Sequence, residues 1–94
     1  MGTTVVNIIY DICDVYIGRS KIPDIGYFGN PFHISTDGTR KEVLSKYTEY
    51  FIKRNKTDEE FHRRILDLAG KRLGCFCKPE ACHGDIIARY LDFE

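Results

Sequence analysis

Apolar positions along the chain follow two periods, one suited to strands and one to helices. Thr3 to Tyr10, with Val5, Val6, Ile8 and Ile9, is β-branched and apolar, which predicts a buried strand. Asp11 to Asp14 interrupts it, and Val15-Tyr16-Ile17 continues as a second short strand or the far side of a bulge. From Lys21 to Gly38 periodicity is lost among prolines (Pro23, Pro31), glycines and an Asn-Pro step, so this stretch reads as a long loop. Loops of that length in small domains are functional or disordered, and the aromatics Tyr27, Phe28 and Phe32 argue against disorder. Helical spacing then appears at Val43, Leu44, Tyr47, Tyr50 and Phe51, predicting a helix from an N-cap at Thr36 or Asp37 to about Arg54. Asn55 to Thr57 reads as a polar break. Thr57 with Glu60 forms a capping-box pattern for a second helix, whose apolar face is Phe61, Ile65, Leu66 and Leu68 and which Gly70 ends. Lys71 to Cys77 predicts a strand that Pro79 terminates, and Ile86, Ile87, Tyr90 and Leu91 mark a last helix beginning near His83.

This order predicts an α/β fold: a small three-layer Rossmann-like domain with a mostly parallel sheet, cut down from the doubly wound plan and spanning residues 1–94 as one unit. Ligands of such sheets sit beyond the carboxyl ends of the strands. Gly18-Arg19 and the turn from Cys77 to Gly84 both follow predicted strand ends, so one crevice is expected to contain both.

Composition narrows the function classes. Fourteen basic residues balance fourteen acidic ones, leaving no net field for nucleic acid or an acidic membrane. Arg63, Arg64, Lys71 and Arg72 form only a local basic patch, so nucleic acid is not an expected partner. No apolar run is long enough for a membrane span and no secretion signal is evident, so a cytoplasmic protein is expected. In a reducing compartment its four cysteines are thiols, metal ligands or small buried groups.

Three of those cysteines crowd into Leu73 to Ile87, and several chemistries fit them. In the primary reading the start of the last helix binds an anion: Gly84 permits close approach of a phosphate, and Asp85 caps backbone N–H groups or accepts from a ribose hydroxyl. Arg19 grips phosphate beside Gly18. Gly29-Asn30-Pro31-Phe32 supplies a rigid turn, with Asn30 and Phe32 orienting a base or sugar, and Arg40 in the first turn of a helix faces the ligand. Cys77, Cys82 and His83 line the site. A catalytic version assigns Asp85 as acid or base and Cys82, its pKa lowered by the helix start, as nucleophile cleaving a phosphoester or N-glycosidic bond. The alternative is a zinc-stabilised structural or interaction module with Cys75, Cys77, Cys82 and His83 as ligands; no cofactor is expected otherwise. A plain alternative to all of these is a buried cysteine cluster with Asp85 as an ordinary cap, and Phe28 and Phe32 as core plugs.

Val15-Tyr16-Ile17-Gly18-Arg19, Gly29-Asn30-Pro31-Phe32, Leu73-Gly74-Cys75-Phe76-Cys77 and Cys82-His83-Gly84-Asp85 together resemble the ordered motifs of the uncharacterised domain family DUF4326. The resemblance spans nearly the whole chain. It departs at Phe76, where the family usually has tryptophan; an aromatic often precedes the Gly-Asn-Pro-Phe motif, as Phe28 does here. The resemblance implies a phage-encoded or bacterial protein. By fold-level analogy with Rossmann-like families it also implies binding, or cleavage, of a nucleotide or related phosphorylated small molecule.

Overall fold

The computed structural model describes residues 2–22 and 24–93; Pro23, one of the turn signals of the loop, lies outside them. The protein is α/β. Strand β1 (Thr4–Asn7) and strand β2 (Val15–Tyr16) flank β3 (Arg72–Cys75), giving a three-stranded parallel sheet of order β1-β3-β2. Val5 and Val15 both pair with Leu73, from opposite sides. The helices are α1 (Arg40–Thr57), α2 (Glu59–Leu66) and α3 (His83–Phe93).

Parallel strands cannot be joined by a tight hairpin, because the chain must return from the end of one to the start of the next. Ile8 to Asp14 makes that return over the face of β3 at Gly74. A Cβ on Gly74 would lie 2.5 Å from both Cys13 Sγ and Ile8 Cγ2, so only glycine leaves room for the crossing. The strand expected over Thr3 to Tyr10 therefore stops at Asn7. Asn7 Oδ1 accepts the Ile9 N–H at 2.9 Å, and its carbonyl accepts the N–H groups of Tyr10 and Asp11, which turns the chain.

On either side of Gly74, Leu73 and Cys75 point the other way and are buried, as the strand period requires. Helix α3 packs on β1 and β3 there, and α1 and α2 pack on α3 and on each other. The resulting core joins Ile17, Tyr47, Phe51, Phe61, Leu73 and Ile87. Gly84, in the first turn of α3, brings this helix close to the sheet: a Cβ there would meet Ile17 Cδ1 at 2.6 Å and Val5 Cγ1 at 3.0 Å.

Helix boundaries differ from the pattern. The N-cap of α1 is Thr39, not Thr36 or Asp37; its hydroxyl accepts the Glu42 N–H while Glu42 Oε1 accepts the Thr39 N–H at 2.9 Å. Asp37 is occupied elsewhere, its carboxylate accepting the His33 N–H. The polar residues Asn55 to Thr57 continue α1, and the break falls at Asp58, whose Oδ1 accepts the Phe61 N–H and so caps α2. The Thr57/Glu60 box does not form, because Thr57 donates to the Lys53 carbonyl and Glu60 bridges Arg63 and Arg64. Leu66, expected on the apolar face, is exposed. β3 ends at Cys75, two residues before the predicted end.

The loop of residues 21–38 is pinned by its aromatics, as their number suggested. Phe28 enters the core beside Phe61, and Phe32 meets Tyr50 edge-on. The Arg54 guanidinium lies 4.3 Å from the centre of the Phe61 ring and 5.0 Å from that of Tyr27. Among the described residues no helix is long and apolar enough to cross a membrane.

Candidate anion-binding cavity

Two loops and the starts of two helices meet just beyond the carboxyl end of β2. They enclose a cavity of about 320 Å³ lined by Tyr16, Gly18, Arg19, Asn30, Arg40, Phe76, Cys82 and His83, with Ile34, Val43, Leu44 and Ala81 completing the wall. Six of the twelve residues proposed from sequence as ligand-binding come together here: Gly18, Arg19, Asn30, Arg40, Cys82 and His83.

Arg19 is held by the loop opposite it. Its Nε donates to the Asn30 carbonyl at 2.8 Å and its Nη2 to the Phe32 carbonyl at 2.7 Å. Gly29 makes that approach possible, since a Cβ on it would lie 3.1 Å from Arg19 Cα and from the Gly18 carbonyl. Asn30 Oδ1 accepts the Phe32 N–H at 2.9 Å, fixing the amide with Nδ2 as the remaining donor. Arg40, the first residue of α1, donates from Nη1 to the Ala81 carbonyl at 2.9 Å and ties α1 to the turn before α3. Among the described residues the lining contains two guanidinium groups and no carboxylate, and the starts of α1 and α3 add their partial positive charge.

His83 and Cys82 are structural at this level. His83 is buried, with Nε2 2.7 Å from the Ile17 carbonyl, so Nε2 carries the proton. Burial holds its pKa below the ordinary histidine value, opposed by hydrogen bonding to the backbone of Ile17 and Phe28. Its ring also meets Tyr47 edge-on at 5.1 Å. The Cys82 thiol, expected to be acidified by the helix start, is instead pushed up to about 12. Burial is the largest cause and the hydrogen bond with Cys75 the next, and together they outweigh the Gly84 N–H that favours the thiolate. Cys82 is therefore a neutral thiol and not an activated nucleophile.

The other sequence candidates lie outside the cavity lining. Asp85 accepts the Cys82 N–H at 3.1 Å and pairs with Lys78 Nζ at 2.6 Å, which is the capping role rather than acid or base chemistry on a ligand in the cavity. Its side borders a larger hollow of about 950 Å³ between α1 and α3, where Asp92 and Arg89 also lie. Gly84 serves helix–sheet packing, Gly29 the contact between loops, and Phe32 the face of α1 at Tyr50. Pro31 and Cys77 line neither hollow.

The four proposed zinc ligands do not converge. Cys75 Sγ and Cys82 Sγ are 3.4 Å apart, but His83 is turned to the Ile17 carbonyl, and among the described residues no group of three or more His, Cys, Asp or Glu side chains is arranged to hold a metal. In the basic patch, Arg63 and Arg64 bridge Glu60, and Arg72 lies 3.8 Å from Asp14.

Tyr16 and Phe76 line the cavity although the sequence reading assigned them no role. The signal was available for Phe76: on a strand it faces away from Cys75 and Cys77 on either side, so a large apolar ring there had to be exposed or covered.

A family model described as "Domain of unknown function (DUF4326)" matches residues 6–93. An uncharacterised 12.4 kDa protein from the nrdA-td intergenic region of Enterobacteria phage T4 is 39% identical over 67 residues, covering 70% of this chain and 60% of the phage protein. An uncharacterised protein of Acanthamoeba polyphaga mimivirus is 36% identical over 95 residues, covering 86% of this chain and 68% of the viral protein. No solved structure matches.

Proposed function

This chain belongs to the DUF4326 family, and we propose that it binds a nucleotide or related phosphorylated small molecule, with the anion between Arg19, Arg40 and the start of α3. The observation that carries this reading is the one-sided charge of the cavity: two guanidinium groups and two helix starts surround it, with no carboxylate among the described lining residues. The carbonyls of Asn30, Phe32 and Ala81 take up some of the N–H groups of Arg19 and Arg40, and the remaining ones supply donors for phosphate oxygens. Placement beyond the end of a parallel strand supports the analogy with trimmed Rossmann-like binders. Binding is favoured over turnover, because the lining offers a protonated thiol and a committed histidine but no free acid or base. The viral origin of both relatives supports reading the chain as phage-encoded, acting in the cytoplasm of its host.

Isothermal titration with inorganic phosphate, ribose 5-phosphate and adenosine 5′-monophosphate tests the reading. Arg40→Ala removes one guanidinium that makes a single hydrogen bond, so it is expected to weaken binding about tenfold or more with little loss of stability. Arg19→Ala is expected to weaken binding further, since it also releases the loop carbonyls. Affinities unchanged in both variants remove the arginines from the site.

A further inference from the structure

Phe76 is 58% exposed at the rim of a cavity whose charged side chains are arginines. A phenyl ring left in water at such a place forgoes burial, yet its position is tightly determined. Asn7 Nδ2 donates to the Phe76 carbonyl at 3.3 Å and to the Lys78 carbonyl at 2.8 Å, anchoring the backbone on both sides of Cys77. The ring itself meets Tyr16 edge-on, with centroids 6.1 Å apart and planes at 75°. Tyr16 in turn donates its hydroxyl to the Arg19 carbonyl at 3.0 Å. An open aromatic face and the phosphate-gripping arginine are thereby joined through one side chain.

Asn30 adds a second, independent observation. It is 7% exposed and lines the cavity, its Oδ1 is used by the Phe32 N–H, and among the described residues its Nδ2 donates to no side chain or carbonyl. Among the described residues no buried side-chain nitrogen or oxygen lacks a partner, so this N–H is open to the cavity and available to an acceptor on a ligand.

We infer that the ligand of this cavity is a nucleoside monophosphate, its base stacked on Phe76, its phosphate on Arg19 and Arg40, and an ester or sugar oxygen accepting from Asn30 Nδ2. This rests on the phosphate reading above and narrows it. Stacking suits an open aromatic at the rim because every base presents a π-face. The volume of about 320 Å³ limits the size. It stands at the lower end of the roughly 300–1,000 Å³ of organic ligand sites, room for one base, one sugar and one phosphate rather than for a dinucleotide.

Titration of adenosine 5′-monophosphate, ribose 5-phosphate and the dinucleotide NAD into wild type, Phe76→Ala and Phe76→Trp decides it. The inference expects adenosine 5′-monophosphate to bind about tenfold tighter than ribose 5-phosphate. Phe76→Ala removes that advantage while leaving ribose 5-phosphate affinity unchanged, and Phe76→Trp restores it. Asn30→Asp, which replaces the free donor by a carboxylate, weakens both ligands. Equal binding of the two phosphates, sensitive to Arg40→Ala but indifferent to Phe76, overturns the stacked base and leaves the phosphate site standing. NAD binding more tightly than the monophosphate overturns the size class. Absence of binding by all three defeats both this inference and the reading on which it rests.

Discussion

His83 Nε2 lies 2.7 Å from the carbonyl oxygen of Ile17, a hydrogen bond between the first residue of α3 and the residue that follows β2. It locks the start of one helix to the end of one strand, which is where the cavity opens. Because a carbonyl only accepts, the bond requires a proton on Nε2, and the packing of Tyr47 against the imidazole helps keep the ring from water.

This arrangement sets a pH dependence. The folded-state pKa of His83 is lowered by burial from the ordinary value of 6.5, so the unfolded chain binds the proton more readily than the folded one. Its contribution to stability is whole above about pH 6.5 and falls as pH drops below that value. Glu42 and Glu60, with values lowered by their hydrogen bonds, begin to lose theirs only below about pH 4.5. Urea melts are expected to show a lower midpoint at pH 5.5 than at pH 7.5, and His83→Gln is expected to flatten that difference. A wild-type midpoint level across the interval contradicts a buried neutral ring.

Thiol reactivity should follow burial. Cys82, at about 12 and buried against Cys75, is almost wholly protonated at neutral pH, whereas Cys13 and Cys77 are partly exposed. Alkylation by iodoacetamide at pH 7.5, read by peptide mass spectrometry, should modify Cys13 and Cys77 first and Cys82 late. Early labelling of Cys82 in the folded protein would restore it as a candidate nucleophile.

Chelation tests the zinc module. A structural zinc contributes its binding energy to folding, so its removal unfolds the domain. With Cys75 and Cys82 adjacent but His83 committed to Ile17, a chelator is expected to leave the melting temperature unchanged. A fall in melting temperature, with one zinc per chain lost in native mass spectrometry, would require His83 to leave the Ile17 carbonyl.

Helix caps provide a check on the fold itself. Thr39→Ala removes one half of the box that starts α1 and should cost about 1 kcal/mol. Asp58→Ala removes the cap of α2 together with the bond to Arg54, and should lower the melting temperature more than Thr57→Ala, whose hydroxyl only donates within α1. The reverse order would place the cap at Thr57.

Hydrophobic periodicity determined the element types and their order, because the apolar faces at Val43, Tyr47 and Phe51, or at Ile87 and Tyr90, repeat with the helix whatever they pack against. The exact caps were less legible. Thr36, Asp37, Thr39, Thr57 and Asp58 all have the right chemistry, and choosing among them depends on where the chain enters the helix. For the same reason half of the proposed site residues assemble around one cavity and half do not. Glycines and Asp85 were read as ligand contacts, yet Gly84 and Gly29 serve close packing and Asp85 closes a cap.

By itself, then, the sequence determined the α/β character, the parallel strands with connecting helices, and the motifs that flank the strand ends, all of which depend on local pattern. Only the tertiary structure decided that Ile8 to Asp14 crosses β3 at Gly74, that Cys82 is a neutral thiol, and that Phe76 stands at the mouth of an arginine-lined cavity. Those depend on burial and on contacts between residues far apart in the chain, such as His83 with Ile17 and Arg40 with Ala81. No local periodicity encodes a desolvation energy or a distance across the fold.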